Sequence, residues 1–308
     1  MENWAIVIGI NSYWRPEACL KGAAREAIEV SQWLLSKEGG NVPPANLFLL
    51  LAASPPLAPP HPGVKIIPAS RDNIAQAIEL MLERSAGAGG RSYFYFSGHG
   101  LSAIRDFSPQ NAIVPADFTP KLTTKAISLR SIFERFLAAQ FQEQFFFIDA
   151  CRNIPFDFAF RIGDLDNPGE PALPFPSQYI MYATSLGVKA AEINTAGSEQ
   201  GAFSGALLEG LAGKGPAKVF DESEQQYLVT WDSLFNYVSG EVKARKLKVQ
   251  DNSMQVPKEG GEHGSDNPVP QHARAHDVAL LGRVHLVLAF ACEVERDAGD
   301  ALDFAGRV

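Results

Sequence analysis

Four short runs of consecutive apolar residues mark the first half of the chain: WAIVIGI at 4–10, NLFLLL at 46–51, SYFYFSG at 92–98 and FFFID at 145–149. Continuous rather than alternating hydrophobicity is what a strand covered on both faces requires, so these are read as strands of a parallel sheet. Between them the apolar spacing becomes helical. Leu20, Ala24, Ala27, Ile28, Trp33 and Leu34 share a face that Gly39 and Gly40 terminate. A second helix opens at a Ser70 or Asp72 cap and carries Ile74, Ile78, Met81 and Leu82, and a third covers 128–141. A fifth strand is expected at 178–185, followed by helices over 201–213 and 230–247. Strands alternating with helices, joined by right-handed crossovers, predict a three-layer α/β domain with helices on both faces of a mostly parallel sheet.

Proline punctuates the pattern twice. Residues 52–63 hold five prolines and read as an exposed loop, and 161–177 hold four and read as a mobile linker. Beyond about residue 250 the pattern degrades: 257–276 is loop-like, and the apolar run 278–291 reads equally as a strand or a helix.

Two of the strands end on reactive side chains. The run SYFYFSG stops at His99, and FFFIDA stops at Cys151, 52 positions later (151 − 99). The carboxyl ends of parallel strands share one edge, where ligand sites form. On neighbouring strands these two side chains would meet there. An imidazole beside a thiol assists thiolate formation and can later protonate a leaving amine, so His99 and Cys151 are the candidate catalytic pair. Gly98 and Gly100 leave room for a substrate beside the histidine, and the backbone amides near Gly100 and Cys151 are candidate oxyanion donors.

Composition removes several alternatives. The 308 residues carry a formal net charge of −8 and no Lys/Arg run, which argues against a nucleic-acid partner. Three widely separated cysteines, Cys19, Cys151 and Cys292, form neither a disulfide framework nor a zinc motif, and point to a reducing, cytoplasmic setting. The amino-terminal apolar run is short and follows an acidic residue, unlike a signal peptide, and no segment is long enough to span a bilayer. Neither a cofactor nor a metal is expected: the calcium-loop pattern is absent, and Asp164, Asp166 and Glu170 read as solvated. The stretch IGINSYW is not a nucleotide-binding glycine loop.

WAIVIGINSY, SRDNIAQAI, YFYFSGHG, FFFIDACRN, YIMYATSLGVKAAE and GAFSGALLEGL, in that order, resemble the caspase-like cysteine peptidases, the group of caspases, metacaspases and their bacterial homologues. The resemblance covers about residues 3–250 and implies the three-layer αβα caspase-like fold. It implies a peptidase domain over 1–255, with a large-subunit-like part at 1–160, the linker at 161–177 and a small-subunit-like part at 178–255. Residues 256–308 are an extension of unassigned role. His99 matches the catalytic histidine, Cys151 the nucleophile, and Gly100 with the Cys151 amide the oxyanion site. Asp149, two residues before the nucleophile, matches the acid that in metacaspases faces the side chain preceding the scissile bond. A carboxylate there pairs best with arginine, so cleavage after Arg in preference to Lys is implied. The family's second pocket acid has no clear match; Glu192, Asp106 and Asp117 are the candidates, each against a reading as a solvated loop acid.

A peptidase cutting after arginine could process itself after Arg161 at the head of the linker; the same nick in a pure Cys151→Ala protein would contradict this. The expected partners are protein or peptide substrates and an upstream activator or inhibitor protein, with no membrane, in a bacterial stress, defence or programmed-death pathway. The competing readings are a catalytically silent caspase-like scaffold and a cysteine-dependent amidase acting on small molecules.

Overall fold

Every strand at the centre of the sheet is apolar on both sides, and the period-two geometry of a strand divides those residues between two cores. The computed structural model describes residues 2–85, 89–105, 108–150, 161–165, 172, 176–183, 192–195, 198–222, 225–249 and 258–260. In chain order the elements are β1 (Glu2–Ile10), α1 (Ala23–Leu35), β2 (Leu47–Ala52), β3 (Ile66–Pro68), α2 (Arg71–Arg84), β4 (Gly89–Gly98), β5 (Gly100–Arg105), β6 (Ser108–Ile113), β7 (Ile127–Ser128), α3 (Leu129–Leu137) and β8 (Glu143–Ala150). Then follow β9 (Ser177–Tyr182), β10 (Glu192–Thr195), β11 (Ser198–Gly201), α4 (Ala202–Leu211), β12 (Val219–Asp221), β13 (Gln226–Leu228), α5 (Trp231–Val249) and β14 (Lys258–Gly260).

The main sheet has seven strands in the order β14-β9-β8-β4-β1-β2-β3. All neighbours run parallel except β14, which pairs antiparallel with β9. Odd-numbered residues such as Val7, Leu49, Tyr95 and Phe147 pack against α1, α4 and α5. Even-numbered ones such as Ile8, Leu50, Phe94 and Phe146 pack against α2 and α3. On that second face the ring of Phe146 lies 4.8 Å from Phe133, 5.0 Å from Phe136 and 6.0 Å from Phe94. Each fully buried phenylalanine contributes about 1.5–3 kcal/mol by leaving water.

The helices start and stop for local reasons. Ser70 caps α2, its hydroxyl accepting from the Asn73 amide at 3.3 Å. Gly22 precedes α1 and offers no side chain; instead Asn11, in the loop after β1, accepts from the Ala24 amide at 2.9 Å. Small residues on α1 let it approach the sheet: a Cβ on Gly9 would lie 2.6 Å from both the Ala23 carbonyl and the Ala27 methyl.

Three parts depart from the sequence reading. The chain after His99 folds into a separate antiparallel sheet, β5-β6-β7, instead of a loop. The head of the expected linker is held to the domain rather than free: Gly163 donates to the Ala126 carbonyl and accepts from the Ser128 amide, both at 2.9 Å, and Leu165 is buried. The stretch read as loop-like after 255 supplies β14. Among the described residues, no helix is long and apolar enough to cross a membrane.

Candidate active site

Strands β4 and β8 are parallel neighbours in a register that pairs Ser97 with Asp149 and Gly98 with Ala150. Their apolar runs therefore stop together. His99 follows Gly98 directly, and Cys151, which follows Ala150 in the sequence, lies outside the described residues.

The histidine is positioned by the loop after β1. Its backbone N–H donates to the Tyr13 hydroxyl at 2.7 Å, and its ring packs on the Tyr13 ring at 4.6 Å between centroids. A Cβ on Gly98 would lie 2.7 Å from that hydroxyl, so glycine is what allows the tyrosine to reach. The His99 Nε2 atom stands 2.8 Å from the Ala18 carbonyl oxygen. A carbonyl only accepts, so Nε2 carries the proton, and in the neutral ring the lone pair is on Nδ1. A 3₁₀ turn over Pro16–Ala18 fixes that carbonyl, with the Ala18 and Cys19 amides each donating at 3.0 Å. Gly100 begins β5 and is buried, pairing with Ile113.

On the α1/α4 side of the same strand ends lies a buried polar cluster. Asp149, 9% exposed, accepts from the Ser204 hydroxyl at 2.5 Å, and that hydroxyl is 2.7 Å from the Tyr95 hydroxyl. Glu26 of α1, 4% exposed, accepts from the Ser97 hydroxyl at 2.8 Å and from the Gly201 amide at 2.5 Å. The two carboxylates converge: a Cβ on Gly201 would lie 3.1 Å from Asp149 Oδ2 and 3.1 Å from Glu26 Oε1. Burial raises the Glu26 carboxyl above its ordinary range, against the opposing effects of the Gly201 amide and the Ser97 hydroxyl. Burial likewise pushes the Tyr95 phenol well up, reinforced by both nearby carboxylates.

The remaining candidates sit as follows. Glu192 opens β10 and is paired in register with Gly201, beside the point where the acids converge. Asp106 lies outside the described residues. Asp117 is elsewhere, accepting from the Arg71 amide at 2.8 Å and pairing with Lys125 at 2.9 Å. Burial acts to raise its carboxyl, but Lys125 and the Arg71 amide outweigh this and hold it low. Arg161 is exposed, its amide donating to the Thr123 hydroxyl at 3.3 Å, and it leads directly into the pinned Gly163 segment. Among the described residues, no group of three or more His, Cys, Asp or Glu side chains is placed to hold a metal ion.

The sequence reading missed Glu26, Tyr13 and the Ala18 carbonyl. For Glu26 one signal was available: it stands at helical spacing between Ala23 and Val30, on the face of α1 that is otherwise apolar.

The caspase-domain family model matches residues 2–264. A probable protease from a Desulfuromonadales bacterium is 51% identical over 280 residues, covering 87% of this chain and 33% of that protein, so the chain spans about a third of that relative's length. The crystal structure of caspase-1 from Spodoptera frugiperda aligns with a TM-score of 0.50 at 14% identity, covering 84% of this chain and 86% of that one, a likeness of fold. The chain belongs to the caspase-domain family of peptidases.

Proposed function

We propose that this domain is a cysteine endopeptidase that cleaves protein substrates after arginine, and less readily after lysine, with Cys151 as nucleophile and His99 as general base and acid. The observation that carries the reading is the register of β4 and β8. It sets Gly98 opposite Ala150, one residue before the imidazole and one before the thiol. The Ala18 carbonyl supports it by holding His99 in the tautomer that presents Nδ1 as the base.

In this mechanism His99 Nδ1 takes the Cys151 thiol proton, and the thiolate attacks the scissile carbonyl carbon. A C–S bond forms and the carbonyl electron pair moves onto oxygen, which the Gly100 and Cys151 amides stabilise. The C–N bond then breaks, and the departing amine takes the proton from His99. Water, deprotonated by the same imidazole, hydrolyses the thioester and returns the thiol.

Specificity is assigned to the convergent pair, with Glu26 taking the part for which Glu192, Asp106 and Asp117 were candidates. Ser204 and the Gly201 amide hold the two carboxylates without neutralising them. A guanidinium can bridge two separated carboxylates with its planar fork, which an ammonium cannot. The role belongs with bacterial stress or defence, under an activator or inhibitor protein, and the remainder of any longer polypeptide is a natural place for that control.

An arginyl acyloxymethyl ketone, which alkylates a thiolate beside a bound arginine, tests the pairing. One label is expected, at Cys151, while exposed Cys19 stays unmodified. Equal labelling of Cys19, or undiminished labelling in a His99→Ala protein, would contradict the dyad.

A further inference from the structure

Beyond the site described, the carboxyl edge of the sheet carries a concavity. It has a volume of about 470 Å³ over the ends of β2 and β3, with Leu51, Ala53, Ile66, Ala69 and Ala116 among its walls. Asp117 lines it too, but Lys125 compensates that charge, so the lining presents mainly apolar surface.

Two chain segments run from His99 to this pocket. Ser12 lines it, its amide bonded to the Ala52 carbonyl at 3.0 Å, and the next residue, Tyr13, packs on the His99 ring at 4.6 Å. On the other side Val114 donates to the His99 carbonyl at 2.9 Å, and two residues on Ala116 donates to the Ala69 carbonyl at 2.9 Å to close the far wall. The strand order β8-β4-β1-β2-β3 puts the pocket on the opposite side of His99 from β8 and its Asp149. A peptide whose arginine is held by Glu26 and Asp149, over the ends of β4 and β8, meets the pocket when the residues after the scissile bond run along the sheet edge away from β8. Neighbouring strands are about 4.8 Å apart and an extended peptide advances about 3.3 Å per residue, which places the pocket about three to five residues beyond the cut.

We infer that this pocket is a downstream specificity subsite that takes an apolar side chain of the substrate about three to five residues after the scissile bond. This rests on the peptidase reading above. Burying an aliphatic side chain in an apolar hollow favours it over a small polar one by roughly ten-fold in an open site of this kind.

The test uses extended peptides with one arginine before the scissile bond and leucine or serine walked through the third, fourth and fifth positions after it. The readout is the leucine-to-serine ratio of kcat/KM within each protein. About ten-fold is expected at one of the three positions, collapsing to about one when the hollow is filled in Ala116→Phe and Ala53→Phe. A ratio near one at all three positions in the parent, or a preference untouched in both filled proteins, overturns the inference. If no peptide is cut, the peptidase reading is what fails. The pocket is then read by binding of the same peptides to the Cys151→Ala protein: the leucine peptide is expected about ten-fold tighter, and equal affinities overturn the subsite.

Discussion

A His99→Ala protein is expected to cleave an arginyl peptide about a thousand-fold more slowly than the parent, since a positioned acid–base group typically contributes 10²–10⁴-fold. Two functions are lost at once in the proposed mechanism, deprotonation of Cys151 and protonation of the leaving amine. The rate of Cys151 alkylation against pH separates this from structural damage. Without the imidazole the thiol should titrate near the ordinary cysteine value of about 8.5, whereas in the parent the thiolate should form at lower pH. The ring is half-buried against Tyr13 and contributes no core packing on the scale of the sheet residues, so the thermal midpoint should fall by only a few degrees. An unchanged alkylation profile in His99→Ala would contradict the dyad.

The second large effect concerns the paired acids. Asp149→Asn and Glu26→Gln should each lower kcat/KM for an arginyl peptide by about 10²-fold or more, because removing one partner from a desolvated charge pair costs about 3–5 kcal/mol. Turnover of a leucyl peptide, slow in the parent, should not fall with it. Glu26 adds a pH signature. Burial holds its carboxyl above the ordinary range, so it still carries a proton at pH values where an exposed glutamate is ionised. Recognition of a cation needs the ionised form. Arginyl kcat/KM should therefore rise with pH as Glu26 ionises, and Glu26→Gln should remove that rise.

Stability runs the other way. A folded pKa above the unfolded one gives stability that is complete below the unfolded value and is lost as pH rises through the folded value. Relative to the parent, Glu26→Gln should gain thermal stability progressively as pH increases from acid to neutral. A substitution that weakened Arg cleavage equally at every pH, with no such gain, would assign Glu26 a packing role only.

Much of the fold was legible because the central strands are apolar on both faces, which a parallel sheet demands; β1, β2, β4 and β8 were read on that ground alone. What could not be read was the division of each strand between the two cores, since a continuous run carries no period. The β5-β6-β7 sheet was hidden by its mixed polar content, and β3 by its three-residue length after a proline-rich loop. His99 was legible because it ends a strand; its Ala18 partner was not, because a backbone carbonyl leaves no mark in the sequence. Glu26 went unremarked, a lone acid on the apolar face of α1. Its burial depends on Ser97 and Gly201, which lie 71 and 175 positions away.

The most direct test of the central claim is turnover of fluorogenic peptides carrying Arg, Lys, Asp or Leu before the scissile bond, with Cys151→Ala measured alongside. The account predicts cleavage of the Arg peptide first, the Lys peptide more slowly, and loss of both in Cys151→Ala. Cleavage of the Asp peptide in preference to Arg, or Arg cleavage that survives in Cys151→Ala, would contradict it.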